Sequence, residues 1–208
     1  MQTSAAEFHR QLRSLFAVLR ILVRQTSEGR DSVEDYSAHL EGRIGALARV
    51  HEILMRAPEE GVDLEEIVGG EFLAQAVPEE NYLINGEEVR IAREAAAALA
   101  LAFHELTVNA MSHGALSSLR GRVEVRWGIS GENGSSSLDL QWSEHGVRLD
   151  DTTPSHKGFG IELIERMLPY ELNARTTFDL SHDGLRVRLL IPQAAGMPVW
   201  RPGTNPSP

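Results

Sequence analysis

Cysteine is absent from the 208 residues, which excludes disulfide staples, thiolate metal sites and cysteine nucleophiles and fits the reducing cytoplasm. Long apolar runs are missing as well. The most apolar stretch, AAAALALAF from Ala95 to Phe103, is far shorter than the ~20 residues of a bilayer-spanning helix. Glu7, His9 and Arg10 precede any apolar block, unlike a secretory signal; a cytoplasmic protein without membrane insertion is expected. Positive charge is in deficit: the formal net charge is -10 and Lys and Arg are scattered, so nucleic acid and anionic membranes are not expected partners. What is present, 42% hydrophobic and 24% charged residues, is enough for a buried core in one domain, or in a small domain with a helical appendage.

Apolar residues at Phe8, Leu12, Leu15, Phe16, Leu19, Leu22 and Val23 fall at helical spacing and make one stripe. The polar stretch SEGRDS interrupts it, and a second helical run follows from about Val33 to Met55, with Leu40, Ile44, Leu47, Val50, Ile53 and Leu54. The pair predicts an antiparallel hairpin that cannot cover its own apolar stripes. A homodimeric four-helix bundle would cover them; the alternative is an arm folded back on its own domain. Residues 1–57 are expected to form this module, 58–193 a mixed α+β domain, and 194–208 a loosely ordered, Pro-rich tail.

Within the α+β part, VDLEEIVGGEFLAQAV reads as a helix started by Asp63, and YLINGEEVRI as two short strands around an Asn85-Gly86 turn. A long Ala-rich helix is expected from Arg93 to His113. VEVRWGIS and LDLQWSE alternate as strands about the turn-forming GENGSSS, a Gly-rich opening leads into a helix at KGFGIELIERML, and TTFDLSHDGLRVRLLIP reads as a hairpin turned at Asp183-Gly184.

Chemistry-bearing residues cluster in this part. Glu105, Asn109 and His113 recur every four residues along one face of the Ala-rich helix. A carboxylate and an amide on one stripe can hold a hydrated Mg²⁺ and a water or hydroxyl, because Mg²⁺ takes few protein oxygens and keeps its waters. Alone this pattern also describes a solvated helix face. Two further elements follow it: Glu144 at a strand end with Gly146 behind it, and Gly158-Phe159-Gly160 opening a helix, an arrangement that aims free backbone N–H groups at phosphate.

AFHELTVNAMSHGALS, LQWSEHG and KGFGIELIERML resemble the nucleotide-binding boxes of the HWE-type histidine kinases, a branch of the GHKL-type ATP-binding superfamily shared with DNA gyrase. That family is named for a His beside the first-box Glu and a Trp-x-Glu pair, matched by His104, Trp142 and Glu144. The resemblance implies a helical hairpin followed by an α/β sandwich, with ATP and Mg²⁺ as cofactors and a response-regulator receiver domain as partner. It implies that Asn109 ligates Mg²⁺, Glu105 polarises the reacting group, and Glu144 accepts from the adenine amino group while Gly146 lets the base approach. Gly158 and Gly160 would line the phosphates with Lys157 as a nearby cation. His113 and His104 are further candidates for nucleotide contact, with a packing role the alternative for His104; Trp142 reads as core. Val147 stands where the family commonly has a second Gly.

The family's first helix carries Glu-Leu-Asn-His-Arg-Val-Lys-Asn and ends in Arg-Gln-Thr. Anchoring on Glu7, Ala17 and Arg24-Gln25-Thr26 without a gap puts His9 on the Asn position and Arg10 on the acceptor His. Pairing His9-Arg10 with the family's His-Arg instead needs a one-residue deletion, which turns the helix face by about 100°. Three functions stay open: a kinase that phosphorylates His9 and passes the group to a response regulator, a degenerate relative that binds the regulator without a phosphohistidine, and an anti-sigma-type serine kinase, which the two leading helices disfavour. No sensor domain precedes the helix pair in this sequence, so input is expected from a partner if residue 1 is the true start.

Overall fold

The computed structural model describes residues 32–56, 61–131, 136–146, 159–181, 184–193 and 200–202. The first expected helix with His9 and Arg10, the residues Lys157 and Gly158, and Asp183 lie outside the described residues. The chain divides into two units, Met1–Gly45 and Ala46–Pro208.

Of the first unit, the described part begins α1 (Val33–Arg56), close to the span expected of the second helix. Ser32 starts it: its hydroxyl accepts from the Asp35 N–H at 3.0 Å, and Glu34 and Asp35 place negative charge in the first turn. Both satisfy the otherwise unpaired amides and the dipole of a helix N-terminus.

The second unit contains α2 (Leu64–Ala74), which follows the two-residue strand β1 (Val62–Asp63). Asp63 caps α2 as expected, accepting from Glu65 N–H at 2.9 Å. Strand β2 (Tyr82–Gly86), β3 (Val89–Ile91), the long helix α3 (Arg93–Ser112), β4 (Arg122–Ser130) and β5 (Ser137–His145) come next. The helical stretch after β5 consists of α4 (Phe159–Glu162), a π-helical turn at Leu163–Met167 and α5 (Leu168–Leu172), and β6 (Arg175–Ser181), β7 (Gly184–Pro192) and β8 (Trp200–Pro202) complete the order.

The main sheet runs β2-β4-β5-β7-β6, with β2 parallel to β4 and every other pair antiparallel. Alternation on β4, β5 and β7 sends Val125, Trp127, Leu138, Leu140, Trp142, Val187, Leu189 and Ile191 into the core. On the other side of the core lie Leu99, Phe103 and Leu106 of α3 and Leu163, Ile164, Leu168 and Leu172 of the last helical stretch. Each such large side chain contributes about 1.5–3 kcal/mol on burial, so this layer pair anchors the unit. The opposite face is polar, and Arg188 grips Asp139 there with two hydrogen bonds of 2.8 and 2.6 Å.

Two expectations need correction. Asn85-Gly86 is not a hairpin turn: both residues belong to β2, which pairs in parallel with β4, while β3 pairs with β1 in a separate three-stranded sheet. Gly86 is there for close approach, since a Cβ on it would lie 2.1 Å from the Trp127 ring, and the Trp127 indole N–H donates to Glu87 O at 2.7 Å. The tail also contributes structure. Trp200–Pro202 pairs antiparallel with β3, Ile91 facing Trp200, which covers an otherwise open strand edge at a place where proline is tolerated.

Candidate functional site

Helix α3 supplies the first part of the site. Glu105 is 5% exposed and Asn109 is half-buried one turn later, while His113 is exposed at the helix end, where its N–H bonds Asn109 O at 2.9 Å. The helix carrying Gly160 packs onto this stripe. A Cβ at Gly160 would stand 3.0 Å from Asn109 Nδ2 and 3.3 Å from Glu105 Oε2. The two motifs, some fifty residues apart in sequence, therefore meet where only a glycine backbone fits closely.

Beyond His113 the chain turns through Gly114 and Ala115 directly onto Glu144. The Ala115 N–H donates to Glu144 Oε2 at 2.7 Å, and the indole N–H of Trp142 lies 3.4 Å from Oε1. Gly114 is indispensable here, because a Cβ would fall 2.1 Å from Glu144 Oε2 and 2.9 Å from Ala110 Cα. Glu144 is 3% exposed, and burial pushes its carboxyl above the ordinary glutamate range against the opposing pull of the Ala115 and Trp142 hydrogen bonds. An ionised carboxylate has about four acceptor positions, so these two donors leave capacity for a third. Gly146 follows with φ +76°, and a Cβ there would lie 2.6 Å from Arg120 O.

His104 points elsewhere. It is 2% exposed and its Nδ1 lies 2.8 Å from Glu71 Oε1 on α2. The same carboxylate accepts from Gln75 Nε2 at 3.0 Å and pairs with the Arg49 guanidinium of α1. Burial acts to raise the Glu71 carboxyl, but the hydrogen bond and charge of His104, the Arg49 charge and the Gln75 hydrogen bond outweigh it and hold the group below its usual range. Of the two readings of His104, the described contacts are those of an internal partner. Trp142 is fully buried, as core residues are, and its ring centre lies 5.9 Å from that of Phe72.

The structure thus brings Gly160 to Glu105 and Asn109, and Gly114 and Ala115, just past the end of the same helix, to Glu144. Gly114 and Ala115 were not singled out by the sequence, although a glycine just past the helix end was the available signal. Glu71 gave none, since a glutamate in a helix reads as surface. Among the described residues no three acidic, histidine or cysteine side chains form a metal cage, and no helix is long and apolar enough to cross a membrane.

Residues 7–88 match the HWE histidine kinase family. The chain is 32% identical over 194 residues to blue-light-activated histidine kinase 1 of Erythrobacter litoralis, covering 90% of this chain and 52% of that protein. It is 25% identical over 188 residues to a blue-light-activated histidine kinase of Brucella ovis, covering 89% and 38%. It therefore spans about half, or less, of the length of these relatives. Among solved structures, the blue-light activated histidine kinase EL346 of Erythrobacter litoralis aligns with TM-score 0.59 at 18% identity over 92% of this chain and 64% of that one. The isolated histidine kinase domain of EL346 aligns with TM-score 0.55 at 19% identity over 86% and 84%. At these identities the likeness is one of fold, the mixed α+β fold of these histidine kinase domains. Family match over residues 7–88, sequence relatives and fold coincide in one respect: the chain is similar to HWE histidine kinases in its first part and to histidine kinases over most of its length.

Proposed function

We propose that the chain binds Mg-ATP at the Glu105–Asn109–Gly160–Glu144 site and transfers the γ-phosphoryl group to a histidine, from which it passes to the aspartate of a response-regulator receiver domain. The observation that carries this reading is the convergence of Gly160 on Glu105 and Asn109, with a Cβ at Gly160 only 3.0 Å from the Asn109 amide. In this reading the adenine amino group donates to Glu144, beside the Ala115 N–H that already holds its Oε2, and Gly146 gives the base room. Gly160, with Gly158 and Lys157, would bind the phosphates, and His113 stands at the helix end nearest the turn to Glu144. Dimerisation through the N-terminal helices and a cytoplasmic location belong to the same reading.

The donors present fit a magnesium ion: Asn109 carries an amide oxygen one helical turn from Glu105, both side chains bordering Gly160, and Mg²⁺ is commonly held by one or two protein oxygens plus substrate phosphates and waters. Asn109 would hold it, and the ion would neutralise charge on the phosphate oxygens. Glu105 would orient and polarise the attacking group. In the transfer, the imidazole nitrogen of the acceptor forms the N–P bond as the bond from the γ-phosphorus to the departing ADP oxygen breaks, and the receiver carboxylate later takes the phosphoryl group from that nitrogen.

His9 is the proposed acceptor. One observation favours a second reading: the ungapped alignment of the first helix puts Arg10 on the acceptor position, and a guanidinium stays protonated and is no nucleophile. In that case the chain binds nucleotide and regulator without its own phosphohistidine. Incubation of wild type, His9→Ala and Arg10→His with γ-labelled ATP separates the two. Acid-labile label on the wild type that disappears in His9→Ala is the expected result. Label gained only in Arg10→His would establish a lost acceptor, and acid-stable label would indicate a serine kinase.

A further inference from the structure

We propose that Glu71 is a positioning residue for the phosphoryl-transfer site, setting the register of α3, and with it Glu105 and Asn109, by gripping His104 from α3 and Arg49 from α1. The proposal rests on the ATP reading above and adds to it a residue that touches neither nucleotide nor metal.

Glu71 lies inside the protein at 3% exposure, where a carboxylate is costly unless every lone pair is answered. It is answered by three side chains: His104 Nδ1 at 2.8 Å, Gln75 Nε2 at 3.0 Å, and the Arg49 guanidinium. Exchanging such a cluster for apolar side chains of similar volume is often neutral or stabilising, so stability alone does not account for it; fixing one register is the best-attested use of a buried polar group.

Leu99, Phe103 and Leu106 hold α3 against the main core; the Glu71 cluster adds a directional contact toward α2 and α1. Ala95, Ala96, Ala98, Ala100 and Ala102 are all buried on α3, and Ala100 faces Gly70 and Ile67 of α2 and Ala46 and Val50 of α1 across a small shared cavity. Around Ala100 small residues interdigitate little, so on that side the hydrogen-bonded cluster supplies the axial constraint between α3 and its neighbours. A slip of one residue moves a helix by about 1.5 Å along its axis. Glu105 directly follows His104, and the fit of Gly160 against Glu105 and Asn109, within 3.3 Å of where a Cβ would stand, does not tolerate such a slip. His104 binds Glu71 on one face of α3 and Glu105 meets Gly160 about 100° round the helix, so the ion pair and the site carboxylate share one rigid turn.

The test is calorimetric titration of the 208-residue chain with Mg-ATP, using wild type, Glu71→Gln, His104→Gln and the double variant, each well below its melting temperature. Each single variant is expected to bind on the order of tenfold more weakly, with the double variant no weaker than the worse single, as for two members of one coupled unit. A purely structural cluster would lower the melting temperatures and leave the affinity of the folded protein within about twofold of wild type; that result overturns the proposal. If Glu71→Gln fails to fold, Arg49→Gln decides, because Arg49 is one-third exposed and its loss spares the His104–Glu71 pair: weakened affinity supports the role and unchanged affinity overturns it. A wild type that binds no Mg-ATP would instead overturn the proposed function itself, whatever Glu71 does to folding.

Discussion

Glu144→Gln is expected to weaken ATP binding about ten- to a hundredfold while melting at or above the wild-type temperature at neutral pH. The first effect follows from the loss of a charged acceptor: a hydrogen bond from the adenine amino group to a buried carboxylate is worth roughly 1.5–3 kcal/mol. The second follows from burial, which pushes the Glu144 carboxyl above the ordinary glutamate range. A group whose folded-state titration lies above its unfolded-state titration costs nothing when both states are protonated. It destabilises the fold increasingly as pH rises through the unfolded and then the folded value. The gap in melting temperature between Glu144→Gln and wild type should therefore close below the ordinary glutamate range and widen above it. ATP affinity of the wild type should fall on acidification at a higher pH than a surface glutamate would dictate, and the Gln variant should not show that step. A Glu144→Gln variant with wild-type affinity would remove Glu144 from adenine recognition.

Gly160→Val carries the other large effect. A Cβ at this position already stands 3.0 Å from Asn109 Nδ2 and 3.1 Å from Glu105 Cβ, and the two extra methyl groups of valine have no room without moving the helix that carries it. Overpacking of this kind costs about 1–3 kcal/mol of stability. The catalytic cost is greater, since a displacement near 1 Å of groups that position a reacting phosphate can cost on the order of a hundredfold in rate. Turnover of ATP, or transfer of label, measured at a temperature where the variant is folded should drop by about that factor, and an unchanged rate would mean that Gly160 does not bound the reacting site.

Much of this arrangement could be read from the chain because its signals are local. Alternation along VEVRWGIS and LDLQWSE fixes which faces of β4 and β5 are buried, the aspartate at position 63 announces the start of α2, and the four-residue spacing of Glu105 and Asn109 places both on one stripe of α3. What escaped depends on partners far along the chain. Asn85-Gly86 has the composition of a tight turn, yet the parallel partner β4 begins some forty residues later and requires Gly86 for the Trp127 ring. Trp200–Pro202 sits in a Pro-rich tail and becomes a strand only because β3 offers an edge. Glu71 reads as a surface glutamate until α3 brings His104 to it across 33 positions. Glu144 was legible from its family-like setting, but the Ala115 N–H that anchors it and the missing Cβ of Gly114 that admits it were not, because a helix end gives no local sign of the strand it abuts.

Calorimetric titration of the wild type and of Asn109→Ala with ATP, in the presence and absence of Mg²⁺, is the most direct test of nucleotide binding at the junction of α3 and the Gly160 helix. The expected result is binding by the wild type that tightens with Mg²⁺, and an Asn109→Ala variant in which the Mg²⁺-dependent gain is lost. A wild type that gives no binding heat with Mg-ATP and protects no nucleotide, or an Asn109→Ala variant whose Mg²⁺ dependence matches wild type, would contradict it.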